Sequence, residues 1–188
     1  MNTKTLRQIE EMKKQTIGVE VEMNNITRNK AAKIAAEFFG TGRFENTADR
    51  NGYCTWSAYD EQGREWKFQK DVSIAGIDSE KCEMVTPILN YSDIETLQEL
   101  VRILRKAGAK SDSTRGCGVH IHIGAKGHTA KTLRNLANIM ASHEQLLIDA
   151  LNLDEVRVRR YCRTVDIRFL EQVNSCLLYT SPSPRDTR

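Results

Sequence analysis

The 188-residue sequence has no apolar run approaching the roughly 20 residues that a bilayer span requires. It also lacks the apolar core of a secretory leader. The opening stretch, Met1 to Gln15, is polar and reads as a short amphipathic lead-in. Both absences argue against a membrane partner and place the chain, as an expectation, in the cytoplasm. The five cysteines, Cys54, Cys82, Cys117, Cys162 and Cys176, form no Cys-x-x-Cys pair, so neither a zinc ribbon nor a dithiol redox motif is indicated. Dispersed reduced thiols are what a cytosolic chain carries. A concentrated basic patch is missing too: the net charge is only +3, and lysines and arginines are scattered among acids. Nucleic acid is therefore not expected as a partner. No internal repeat and no low-complexity linker occurs in residues 1–175. Neither a Gly-x-Ser-x-Gly elbow nor a Walker-type Gly-x-x-x-x-Gly-Lys-Ser/Thr loop is found.

With 39% hydrophobic and 28% charged residues, the composition is that of a globular chain long enough for one domain. That domain is expected over residues 1–175. The last stretch, Cys176 to Arg188 ("CLLYTSPSPRDTR"), holds two of the three prolines and follows neither a helical nor a strand period. It resembles the string left when a sequencing read runs into library adapter, and it is expected to be a non-native or disordered tail.

Local patterns give a coarse element order. Residues 16–24 alternate, with Ile17, Val19, Val21 and Met23 on one face and Gly18, Glu20, Glu22 and Asn24 on the other. Thr27 can cap a helix over about 28–39, whose apolar stripe is Ala31, Ala32, Ala35, Phe38 and Phe39. The aromatic-rich stretches 53–60 and 64–70 flank Glu61-Gln62-Gly63 and predict a hairpin. Residues 82–89 predict a strand ending near Pro87. Ser92-Asp93-Ile94-Glu95 has the form of a capping box, and Ile94, Leu97, Val101 and Leu104 continue it at helical spacing until Gly108. Residues 118–124 alternate again, with Val119, Ile121 and Ile123 as the core face. Thr129 opens the longest helix, to about Leu151, with Leu133, Leu136, Met140, Leu146 and Leu147 inward. The hairpin and the half-polar strands favour α+β, an antiparallel or mixed sheet with helices packed on one face.

Several residues in these elements could carry chemistry. Residues two apart on a strand project to the same side, roughly 6.6–6.8 Å apart at Cα. Glu20 and Glu22 are therefore like-charged neighbours, which a hard divalent cation between them would reconcile; otherwise they lie on a solvated edge. His120 and His122 have the same geometry and suit either a metal or half-buried hydrogen bonding. Glu83 is a carboxylate in an otherwise apolar strand. Asp71 and Ser73 follow the hairpin, with an ordinary ion pair favoured for Asp71. Arg157, Arg159, Arg160 and Arg163 cluster after the long helix and suit either phosphate contact or a solvated face.

The order of these segments says more than any one of them. "IGVEVE", "WKFQKDVSI", "EMVTPIL", "CGVHIHIG" and "RRYC", spanning about residues 15–165, resemble the amidoligase family of carboxylate–amine ligases. That family has a glutamine-synthetase-like fold and is akin to glutamate–cysteine ligases. The resemblance implies a reaction dependent on ATP and Mg2+, in which a substrate carboxylate is phosphorylated and an amine displaces phosphate to form an amide. It implies metal-binding roles for Glu20, Glu22, Glu83 and His120, with nucleotide phosphate contacts from His122, Arg157 and Arg160. Such chemistry relies on electrostatic stabilisation of phosphoryl oxygens rather than on a protein nucleophile. Expected partners are small-molecule or peptide carboxylates and amines, and homo-oligomerisation fits such relatives. Family members are longer, so an incomplete catalytic sheet, the N-terminal part of a ligase, is expected here. Two alternatives stay open: a metal-dependent hydrolase using His120, His122 and a glutamate, or a non-catalytic binding module.

Overall fold

A computed structural model describes residues 2–175. The 176–188 segment, expected to be a tail, lies outside the described residues. The described residues divide into two compact units, the first ending at Gly124 and the second beginning at Ala125.

The first unit is α+β. It runs α1 (Thr3–Lys13), β1 (Ile17–Met23), α2 (Arg28–Phe38), β2 (Phe44–Asn46), α3 (Ala48–Asn51), β3 (Trp56–Tyr59), β4 (Glu65–Gln69), β5 (Cys82–Val85), α4 (Ile94–Lys106) and β6 (Val119–Ile123). The six strands form one sheet in the order β2-β3-β4-β5-β1-β6, with every pairing antiparallel. A meander from β2 to β5 thus returns to pair with the first strand, and β6 adds on the other side of it.

The alternation in β1 sorts as its residues dictate. Val19, Val21 and Met23 are buried among Met84, Phe68, Trp66 and Ala58 of the neighbouring strands and the apolar faces of α2 and α4. Small residues let α2 lie close to the sheet, since Ala31, Ala32, Ala35 and Ala36 are all fully buried. The hydroxyl of Thr27 accepts from the Lys30 amide and starts this helix as expected. From α4, Leu97, Leu100 and Leu104 enter the same cluster. The cap of α4 differs from the expectation. A 3-10 turn, Tyr91–Asp93, precedes the helix, and the reciprocal box joins Asn90 and Asp93 rather than Ser92 and Glu95. Asp93 is also claimed by Arg64, which fixes the turn two residues earlier than the Ser-x-x-Glu pattern suggests.

A second difference concerns β6. Val119, Ile121 and Ile123 share the helix-side face of the sheet but are 56%, 65% and 53% exposed. The buried residues of α2 and α4 cluster with β1, β3, β4 and β5, and none with β6.

The second unit contains α5 (Ala130–Ala150), α6 (Glu155–Arg160) and α7 (Ile167–Ser175). Thr129 caps α5, accepting from the Thr132 amide. Asn138 and Asn174 exchange side-chain amide hydrogen bonds of 3.0 Å between α5 and α7. The stripe expected to face inward, Leu133, Leu136, Met140, Leu146 and Leu147, is exposed. Within the unit α7 packs along α5, and among the described residues that apolar stripe stays exposed. Among the described residues, no helix is long and apolar enough to cross a membrane.

Candidate functional site

The face of the sheet opposite α2 and α4 is polar because the strands are in register, residue for residue. Glu22 lies opposite Glu83, and Glu20 lies opposite Val85 on one side and His120 on the other. Gly18 lies opposite His122, and Gln69 opposite Glu83. Directly opposed side chains share a face, so Glu20, Glu22, Glu83, His120 and His122 all project to the side away from α2 and α4.

Two of the glutamates are buried there. Glu22 is 4% and Glu83 6% exposed. A carboxylate in that position must find donors or a cation. Glu22 accepts the Gly118 amide at 2.6 Å, and Glu83 accepts from the side-chain amide of Gln69 at 2.8 Å. Neither bond neutralises charge. Glu20 is half-buried and lies between the two imidazoles, 3.1 Å from His120 Nδ1 and 3.3 Å from His122 Nε2. His120 Nε2 lies 4.0 Å from Glu22.

A third carboxylate joins the buried pair. One oxygen each from Glu22, Asp71 and Glu83 lie within 4.8 Å of one another. Among the described residues, no lysine or arginine forms a salt bridge with Glu20, Glu22, Asp71 or Glu83. Burial, together with the fields of Glu20, Asp71 and Glu22, pushes the Glu83 carboxyl above its ordinary range, while the Gln69 hydrogen bond opposes that shift only in part. Three convergent oxygens, two of them buried and one titrating high, fit a hard divalent cation.

Asp71, for which the sequence favours an ordinary ion pair, has no salt bridge among the described residues and joins the carboxylates instead. Its signal was present. Lys67 and Gln69 alternate along β4, and the next residue on that face is Asp71. The loop carrying it is anchored from the other side of the site. The Ala75 amide donates to the Arg115 carbonyl at 2.7 Å, and Ile74 is fully buried. Gly116, at φ +85°, lies so close that a Cβ would come within 2.7 Å of the Ser73 carbonyl oxygen.

The motif around Pro87 also has a structural reason. Glu20 opposes Val85, yet Ile17 opposes Leu89, so the β5 side holds one residue more than the β1 side. The extra residue makes a bulge over 86–88. Thr86 spans it: its hydroxyl accepts the Val19 amide at 2.9 Å, and its own amide donates to the Val19 carbonyl.

Thus Glu20, Glu22, Glu83, His120 and His122 come together in the first unit, with Asp71 and Gln69 added. Arg157 and Arg160 lie on α6 in the second unit, where the Arg157 guanidinium stacks 5.2 Å over the Tyr161 ring.

Residues 13–186 match the model of the family described as "Putative amidoligase enzyme". No curated protein and no solved structure matches the chain. With almost its whole length matched, and with the carboxylates and histidines of its shared segments on one face of one sheet, the chain belongs to the amidoligase enzyme family.

Proposed function

We propose that the chain is the catalytic part of an ATP- and Mg2+-dependent carboxylate–amine ligase with a glutamine-synthetase-like sheet. The observation that carries this reading is the convergence of Glu22, Asp71 and Glu83, with no lysine or arginine in a salt bridge to them among the described residues. Such a set is costly to bury unless a cation completes it. Glu22, Asp71 and Glu83 would hold Mg2+, with Glu20 and His120 beside them on the same face. Bound there, Mg2+ supplies charge neutralisation for the phosphoryl oxygens of ATP.

The protein's own groups divide the remaining work. Gly118 and Gln69 orient the two buried carboxylates through the hydrogen bonds described above. Glu20 holds the two histidines side by side, so that His122, 62% exposed at its side chain, presents a donor toward a nucleotide phosphate. Arg157 and Arg160 serve as phosphate contacts on the strength of the family resemblance. The chemistry is phosphorylation of a substrate carboxylate by ATP, then attack by an amine that expels phosphate and leaves an amide. Substrates are small-molecule or peptide acids and amines. A cytoplasmic location and self-association accord with this role.

The test is ADP release by the full chain given ATP, Mg2+ and mixtures of carboxylates and amines. ADP should form over repeated turnovers only when both acid and amine are present, and Glu22→Gln should abolish it while leaving the protein folded. A folded protein that forms no ADP with any mixture contradicts the proposal.

A further inference from the structure

The same polar face carries a second feature, away from the clustered carboxylates. An open groove of about 430 Å³ runs between β4 and the bulge after β5. Glu65, Lys67, Val85, Thr86, Pro87 and Ile88 line it together with Arg64, whose guanidinium is bound to Asp60 and Asp93. Its floor is continuous with the candidate metal centre, because Lys67 lies opposite Val85 and Val85 opposite Glu20.

Two charges of opposite sign stand on one wall. Lys67 Nζ and Glu65 Oε2 are 3.8 Å apart, with side chains 42% and 31% exposed. Glu65 is held in place from beneath: the buried Ser57 hydroxyl donates to its Oε1 at 2.7 Å, and the buried Thr47 hydroxyl is 2.7 Å from that of Ser57. A surface ion pair needs no such buttress and contributes little stability. The opposite wall is apolar. The bulge pushes Ile88 outward until it is 73% exposed, beside Pro87. A bulge next to a site re-aims side chains, and here it places an isoleucine in water beside a charged pair.

We infer that this groove binds the head group of a free α-amino acid substrate. Lys67 takes the α-carboxylate, Glu65 takes the α-ammonium, and Pro87 and Ile88 cover the aliphatic stem. Alternating charges suit a zwitterion, which offers an anion and a cation about as close together as the protein pair. Two strand spacings, about 10 Å, separate Lys67 from Glu20. A head group in the groove therefore leaves the far end of the molecule directed at the carboxylate cluster. The assignment rests on the ligase reading for its catalytic meaning, and on the groove alone for binding.

The experiment uses the full chain and the twenty common amino acids at about 10 mM, followed by backbone amide NMR, with Mg–ATP binding measured separately. At least one amino acid should shift the amides of Lys67, Ile88 and their neighbours. Its N-acetyl and methyl ester derivatives should each bind roughly tenfold more weakly. Lys67→Met should erase the penalty for the ester, and Glu65→Gln the penalty for the N-acetyl form. Both variants should keep wild-type Mg–ATP affinity. Shifts confined to other residues, or no amino acid bound while Mg–ATP binds normally, overturn the subsite and leave the ligase reading standing. Amino acid binding with the expected variant pattern but no Mg–ATP binding keeps the subsite and removes the ligase.

Discussion

Replacing Glu83 with glutamine is expected to stabilise the metal-free protein at neutral pH. Glu83 is buried, opposes Glu22 across the strand pair, and has oxygens of Glu22 and Asp71 within 4.8 Å. At that separation a like-charge pair costs about 0.9 kcal/mol in a water-like medium and about 3.5 kcal/mol at an effective dielectric of 20. Asp71 is partly exposed and Glu83 titrates high, so the lower end applies, and removing the charge returns about 1 kcal/mol. Glutamine keeps an acceptor for the Gln69 amide, so the 2.8 Å hydrogen bond need not be lost. For a chain of this size the gain is a rise in Tm of roughly 2–4 °C. The pH dependence has a definite sign. Because folding raises this carboxyl above its ordinary value of 4.5, its contribution is fully present below that value and is lost as pH rises through the raised one. Scanning calorimetry in EDTA at about pH 5 and about pH 7.5 should show the wild type losing more stability on going up than Glu83→Gln does. A variant less stable than wild type at the higher pH, with parallel pH profiles, would refute the claim that these carboxylates repel each other without a cation.

Other consequences are local. Gly116→Ala should cost roughly 2–3 kcal/mol in urea unfolding, because its positive φ and the 2.7 Å approach to Ser73 act together. Gly63→Ala, with φ +75° and nothing within 4 Å, should cost only about 1 kcal/mol; equal costs would show that the close approach is relaxed away. Arg64→Met should destabilise by roughly 3 kcal/mol, since Arg64 bridges the buried Asp60 and the half-buried Asp93. Burial raises Asp60, but hydrogen bonds from Trp66 and Arg64 outweigh it and hold the carboxyl below its usual range. Arg64, whose own pKa is raised chiefly by its hydrogen bonds to Asp93, holds Asp93 low as well. The wild type should therefore lose this stability as pH falls below about 3.8, and the variant should show a shallower acid transition. Among the described cysteines, Cys54 and Cys162 should react quickly with a thiol reagent, and Cys82, buried and pushed up to about 12, only on unfolding. Rapid labelling of Cys82 in the folded state would contradict the packing of β5.

Strand and helix identities were legible where the signal is local. The alternation of residues 17–23, the Thr27 and Thr129 caps and the aromatic hairpin all depend on neighbours in sequence. The same alternation told which side Glu20, Glu22, His120 and His122 share. It could not tell that Glu22 opposes Glu83, because that is a register between strands about sixty residues apart. Nor could it show the bulge at 86–88, which exists only as a mismatch between two strands. Asp71 lies past the last ladder residue of β4, where the period continues but the hydrogen bonding stops. Alternation also identifies an apolar face without saying whether a helix covers it. Val119, Ile121 and Ile123 pattern like Val19 and Val21, yet only the latter lie beneath α2 and α4.

The central claim is that Glu22, Asp71 and Glu83 form a cation site serving ATP. Manganese, a spectroscopic substitute for Mg2+, tests it most directly through the paramagnetic resonance of the free ion titrated with the full chain, with and without a non-hydrolysable ATP analogue. The account predicts bound manganese in the wild type, tighter binding when the nucleotide analogue is present, and loss of both in Glu22→Gln/Glu83→Gln. Manganese that stays free in both conditions, or that binds the double variant as well as the wild type, would contradict it.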